Sequence, residues 1–113
     1  MVEHLGPSLD SVFAAVADPT RRAILRQLGK QPARVTDIAK SFPVSLNAVS
    51  KHLMVLERAG LIEREVEGRE HVCRLNAAPL KKASAWLAET QAFWEQRLDA
   101  LEEHILEKRK RKR

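Results

Sequence analysis

Residues 45–60 read SLNAVSKHLMVLERAG, and the parsing of that stretch decides the fold. Val49, Leu53 and Leu56 recur at helical spacing, which makes the stretch one amphipathic helix. Ser45 suits the N-cap, where a hydroxyl accepts from a free N–H of the first turn, and Gly60 suits a left-handed C-terminal cap. The face away from the apolar positions carries Leu46, Asn47, Ser50 and Lys51. Upstream, residues 36–42 form a shorter helix capped by Thr36, with Ile38, Ala39 and Phe42 turned inward. Pro43 and Val44 leave room only for a tight turn. Helix, short turn and longer helix is the arrangement whose second helix enters the DNA major groove by its N-terminal end. From these residues alone the commoner reading is an ordinary buried helical hairpin, so the flanking segments decide.

Downstream of Gly60, residues 61–66 and 71–75 are short runs rich in branched side chains, separated by Glu67, Gly68, Arg69 and Glu70. They predict a β-hairpin in which Val66 falls opposite His71, Glu63 opposite Arg74 and Ile62 opposite Leu75, with a Glu63 to Arg74 ion pair across the strands. A hairpin directly after such a helix pair is a wing. Its Gly68 and Arg69 tip sits beside a groove, and arginine suits the narrow, strongly negative minor groove.

Upstream, Leu9, Val12, Phe13 and Val16 define a first helix that ends near Ala17. Asp18 followed by Pro19 starts a second, with Ile24, Leu25 and Leu28 inward and Gly29 as its stop. Arg21, Arg22 and Arg26 lie on or beside its exposed side, read first as a solvated face with one buried partner for Asp18 or Asp37 and second as phosphate contacts. Residues 31–35 are a connector. From about Leu80 towards Lys108 runs a last helix in which Leu80, Leu87, Trp94 and Leu101 are spaced by seven, with Leu98 and Ile105 offset by four. Sevenfold spacing is the seam of a helix pair, and a helix of about 40 Å is too long for so small a body to cover. Trp86 and Phe93 widen the stripe. The expected occupant is a second copy, with Leu9, Val12, Phe13 and Val16 of the first helix and Leu87, Trp94, Leu98, Leu101 and Ile105 of the last forming a dimer interface. Folding of the first helix back over the stripe is the alternative. The fold class is mainly α with one two-stranded β-hairpin, four helices, two strands and a helix in order. Residues 1–7 form an arm, 8–107 the winged helix-turn-helix DNA-binding and dimerisation domain, and 108–113 a basic tail.

The net charge of +5 is less informative than its distribution, because residues 108–113, KRKRKR, carry six of the twenty positive charges. Residues 1–60 hold eight Lys or Arg against five acids, whereas residues 76–107 hold three against six. The reading head is therefore basic and the last helix acidic, an asymmetry that points weakly to a polyanion facing the first half. No segment approaches the roughly 20 apolar residues of a membrane span, and no signal-peptide pattern follows Met1, so a cytoplasmic protein without a membrane partner is expected. Cys73 is the single cysteine and forms no redox or metal pair. The histidines, His4, His52, His71 and His104, lie on different elements. No serine or cysteine has an evident base, so no enzymatic activity and no cofactor are expected.

Ser45, Leu46, Asn47, Ser50 and Lys51 would read one major-groove half-site: Asn reaches adenine, Lys reaches guanine acceptors, and Leu46 covers a thymine methyl group. His52 lies beside Val49 and Leu56 on the helix wheel and is assigned first to packing or hydrogen bonding, second to DNA contact. Arg69 would enter the minor groove, and Arg64 or Arg74 would meet phosphates. Two rival readings are sequence-independent nucleic-acid binding through KRKRKR and a protein-interaction module that docks a partner on the Trp-bearing last helix.

Three stretches, DPTRRAILRQL at residues 18–28, VSLNAVSKHLMVLERAGLIERE at 44–65 and GREHVCRLN at 68–76, give the chain its family resemblance. Over residues 9–107 it resembles the ArsR family of bacterial winged-helix repressors. The resemblance implies a homodimer that binds an imperfect palindrome in double-stranded DNA and represses until a signal arrives. It does not imply metal sensing: where thiolate sensors of the family carry two cysteines on the third helix, this chain has Arg34 and Thr36. On the last helix only His104 and Glu107 could chelate from one face, a weak pair. Cys73 is expected on the inward face of the wing, opposite Arg64. No residue constellation marks a pocket for an effector, and the inducing signal is unknown.

Overall fold

The computed structural model describes residues 8–111. The arm expected over residues 1–7 lies outside the described residues, as do the last two positions of the basic tail. Helix α1 (Leu9–Val16) follows Ser8, whose hydroxyl accepts from the Ser11 N–H at 3.1 Å. Helix α2 (Pro19–Lys30) follows Asp18, whose Oδ2 accepts from the Arg21 N–H at 3.0 Å. The expected stop at Gly29 is not where α2 ends, because the helix runs through Gly29 to Lys30. Pro32 sets the end instead. A residue before proline is pushed out of helical backbone, and Gln31 is extended at φ −168, ψ 156.

That extended segment corrects a second expectation. Residues 31–35 are not a plain connector: Ala33 and Arg34 form strand β1 (Ala33–Arg34), paired antiparallel with Cys73 and Val72. The sheet therefore has three strands rather than two, in the order β1-β3-β2, with β2 (Ile62–Glu67) and β3 (Glu70–Leu75) as the hairpin. Arg34, the last extended residue, takes the N-cap position of helix α3 (Val35–Lys40), so Thr36 lies inside the helix rather than capping it. The hairpin register agrees with the sequence at every expected pair: Ile62 with Leu75, Glu63 with Arg74, Val66 with His71. The Glu63 to Arg74 ion pair does not form. Arg74 reaches along the twisted sheet to its diagonal neighbour Glu65 (3.5 Å) and, two residues further along β2, to Glu67 (3.6 Å).

Helix α4 (Leu46–Arg58) is closed at both ends by its own sequence. Ser45 Oγ accepts from the Ala48 N–H at 3.1 Å. At the other end Gly60 (φ 74) lets its own N–H reach the Glu57 carbonyl and lets the Leu61 N–H reach the Leu56 carbonyl, each at 3.0 Å. This is a Schellman cap, and its apolar partners Leu56 and Leu61 are both fully buried. Ile24, Ile38, Val49, Leu53, Leu56, Leu61, Ile62 and Cys73 form the centre of the core between α1 to α4 and the sheet. Val12, expected at a dimer interface, is spent inside this core, while Leu9, Phe13 and Val16 are half-buried against it.

The chain divides into two compact units, the first ending at Ala83 and the second beginning at Ser84. Helix α5 (Ala78–Arg111) begins in the first, where Asn76 Oδ1 accepts from the Ala78 N–H and Pro79 and Ala83 are buried. It continues past residue 107, and Lys108 to Arg111 form its last turn. In the second unit Leu87, Trp94, Leu98, Leu101 and Ile105 are between 44% and 60% exposed, and Trp86, Phe93 and Leu106 are similarly open. Among the described residues no helix is long and apolar enough to cross a membrane.

The two glycines at helix ends respond oppositely to alanine. Gly60→Ala forces a Cβ into left-handed backbone and is expected to cost about 1 kcal/mol or more. Gly29→Ala is expected to gain up to about 1 kcal/mol, because a Cβ there would meet only Leu75 Cδ2 at 3.8 Å, an ordinary contact. Chemical denaturation of the two variants checks both signs.

Candidate nucleic-acid interface

The exposed face of α4 is fixed by what the opposite face buries. Val49, Leu53 and Leu56 have no exposed surface, and Ile38 of α3 closes against them. Rotated away from these, Leu46, Asn47 and Lys51 are exposed and Ser50 is half-exposed, as the sequence implied. Val44 and Met54 extend the same open surface, at 39% and 44% exposure. Met54 was legible in the sequence, since it follows Leu46 and Ser50 at i+8 and i+4, but methionine at helical spacing reads as core.

His52 takes a different place. Its Nδ1 lies 3.2 Å from Arg21 Nη1 and 3.9 Å from Asp18 Oδ2, so the ring is turned towards the start of α2, in the hydrogen-bonding role assigned to it first. Arginine can only donate, so Nδ1 is the acceptor in this contact. Arg21 also ties α1 to α2: its Nε donates to the Ala15 carbonyl (2.6 Å) and its Nη2 to the Ala14 carbonyl (3.0 Å). Arg22 Nη1 donates to the Val16 carbonyl at 2.8 Å. Two arginines expected on a solvated face thus satisfy the orphan carbonyls at the end of α1. The backbone N–H of Arg21, then the Arg21 charge and the Thr20 N–H, hold the Asp18 carboxyl below its usual range.

The wing places its arginines unequally. Gly68 (φ 65) opens a two-residue turn in which Arg69 is exposed and makes no ion pair among the described residues. Arg74 is engaged by Glu65 and Glu67. Arg64 lies on the inward face opposite Cys73, where its Nη2 is 3.7 Å from Glu57 Oε1 and its buried Nε has no hydrogen-bond partner. The expected phosphate contacts at Arg64 and Arg74 therefore sit beside carboxylates in the free protein. Cys73 is fully buried, and burial pushes its thiol above the usual range. Beside α4, Arg34 donates from Nε to Asp37 Oδ2 and from Nη1 to Glu70 Oε1, both at 2.8 Å. The Arg34 hydrogen bond holds the Asp37 carboxyl down, and the bonds to Asp37 and Glu70 raise Arg34. Among the described residues no group of three or more His, Cys, Asp or Glu side chains could hold a metal ion.

Comparison with known proteins places this geometry. A model described as a helix-turn-helix domain matches residues 16–65. The HTH-type transcriptional regulator Rv2034 of Mycobacterium tuberculosis (strain ATCC 25618 / H37Rv) is 38% identical over 87 residues, covering 77% of this chain and 78% of that protein. The transcriptional repressor SdpR of Bacillus subtilis (strain 168) is 34% identical over 79 residues, 70% of this chain and 88% of SdpR. An ArsR-like transcriptional regulator from Rhodococcus sp. RHA1 superposes with a TM-score of 0.73 at 41% identity, over 82% of this chain and 88% of that one. The homodimeric winged helix-turn-helix DNA-binding domain of Mb0332 from Mycobacterium bovis superposes with a TM-score of 0.59 at 27% identity, over 80% and 81%.

The depressed carboxyls set an acid limit. A group whose pKa is lowered by folding adds stability above its unfolded value of about 3.9, and that stability is lost as pH falls through the folded value. The thermal midpoint is expected to drop on acidification below about pH 4. Asp18→Asn keeps a good N-cap but cannot titrate, so its midpoint is expected to fall less steeply in the same scan.

Proposed function

The chain belongs to the ArsR family of winged helix-turn-helix transcriptional regulators, and from that premise we propose that it is a homodimeric repressor, working in the cytoplasm, that reads a palindromic operator. One observation carries the reading: α4 buries one face completely and leaves Leu46, Asn47, Ser50 and Lys51 open at its N-terminal half, where Ser45 fixes its start. Those side chains take the base edges. Arg69 takes the minor groove from the wing tip, and Arg64 and Arg74 are secondary phosphate contacts that must exchange carboxylate for phosphate. The uncovered stripe of α5, with Leu9, Phe13 and Val16 of α1, takes the second copy. The homodimeric state of the Mycobacterium bovis neighbour and the repressor role of the Bacillus subtilis relative support the same assignment. The open cations at Lys108 to Arg111 support a contribution from non-specific attraction as well.

Selection of binding sites from random duplex DNA is expected to recover a palindrome with half-site centres about one helical turn apart. Lys51→Ala and Asn47→Ala are each expected to weaken the recovered duplex by roughly 1 to 3 kcal/mol while leaving a folded dimer. Unchanged affinity would remove those residues from the reading head. Truncation after Glu107 is expected to keep the palindrome and to lower the salt slope of binding by up to about five units. Loss of all binding would transfer the function to the basic segment. For the dimer, Leu98→Glu or Trp94→Glu is expected to give monomers in sedimentation equilibrium with the helical content preserved; a dimer that survives both substitutions would place the interface elsewhere.

A further inference from the structure

An open crevice of about 260 Å³ lies between the two elements that the proposed function assigns to adjacent grooves. Ser50 of α4 and Thr36 of α3 line one side; Arg69, Glu70 and His71 of the wing line the other; Arg34 stands between. Where a helix reads the major groove and the wing tip enters the neighbouring minor groove, one phosphodiester strand separates the two grooves. On the seating that the proposed function assigns, that strand passes over this crevice.

The group best suited to meet it is Arg34. Its guanidinium fork is already spread in the geometry that binds two oxygens: Asp37 from the first turn of α3 takes Nε at 2.8 Å and Nη2 at 3.4 Å, and Glu70 from the wing takes Nη1 at 2.8 Å. All three side chains are between 41% and 52% exposed, so the pairs are weak and exchangeable. Carboxylate and phosphate compete for the same fork. Asp37, three residues along the chain, can stay and orient the arginine while Glu70 gives way.

We propose that Arg34 is a DNA-backbone contact held in reserve: Glu70 neutralises it in the free protein and yields its Nη1 edge to the phosphodiester that crosses the crevice. This rests on the reading of α4 and the wing as the DNA-binding elements. Glu70 thereby lowers affinity for arbitrary polyanions, since a phosphate gains the contact only where the strand is seated between helix and wing.

The test uses the full chain and the duplex recovered by selection, with Kd measured over roughly 50 to 200 mM salt. Arg34→Gln is expected to weaken binding on the order of tenfold and to lower the salt slope by about 0.9 for each protomer engaged. Arg34→Lys restores the slope, because counterion release needs only the charge, while its affinity stays below that of the parent. Glu70→Gln strengthens binding about two- to fivefold, and this gain vanishes in the Arg34→Gln background. Circular dichroism and thermal unfolding confirm that each variant is folded. An Arg34→Gln slope equal to that of the parent overturns the contact, and a Glu70→Gln gain that persists without Arg34 overturns the reserve. If the parent itself recovers no duplex, the DNA-binding reading falls and takes this inference with it, an outcome distinct from either.

Discussion

What α4 offers to a partner depends on three side chains that it offers to none. Val49, Leu53 and Leu56 have no exposed surface, and each such burial is worth about 1.5 to 3 kcal/mol. That is enough to fix the rotation of the helix about its axis, because any other rotation would lift them into water. Once rotation is fixed, Leu46, Asn47 and Lys51 point outward by geometry alone. The Schellman cap then fixes the far end: the Leu61 N–H to the Leu56 carbonyl turns the chain directly into β2, so the wing starts from a position set by the same helix. Reading helix and wing are thus one rigid construction, hung on a single apolar face.

The positive charges show why net charge is a poor guide to such a surface. Arg21 and Arg22 bend back to the carbonyls at the end of α1, Arg22 on the exposed surface, and Arg21 brings His52 into the same network. Arg34, Arg64 and Arg74 each stand beside a carboxylate. Among the described residues, Lys51 on the helix and Arg69 on the wing make no ion pair near the proposed groove. A few open cations among many compensated ones favour seating at one register over adhesion to any polyanion, since specificity needs penalties as well as contacts.

How much was legible follows the strength of the local signal. The helix at 45–60 and the hairpin register were readable because they rest on periodicity, a serine cap and a glycine that has to be left-handed. Strand β1 was not, since two residues show no alternation and the pairing of Ala33 with Cys73 joins positions forty residues apart. Gly29 misled because glycine after an apolar run resembles a stop, while the operative signal was Pro32 acting on Gln31. The roles of Arg21 and Arg34 were hidden for the same reason as β1: their partners, His52 and Glu70, are distant in sequence. The open face of α4 could be listed from the helical wheel, whereas the crevice beside it exists only after three elements are assembled.

The second unit poses the converse problem, a surface with too little covering it. Burying the remaining half of a large apolar side chain is worth about 1 kcal/mol, and five such residues on each of two copies give about 10. Association itself costs an estimated 4 to 15 kcal/mol. In the proposed homodimer the α5 stripe alone would leave little net affinity, and further surface would be needed to hold the pair at low concentration. In the first unit, taken by itself, Leu9, Phe13 and Val16 of helix α1 are only half-buried while Val12 and Ala15 already serve the core, which is why the proposal draws on them. A helix split in this way, one side inward and one side half-open, couples the two tasks. Its inward residues set the pose of the reading head, and its outer residues would meet the second copy, so the spacing of two heads would be fixed by the same eight-residue element that anchors each of them.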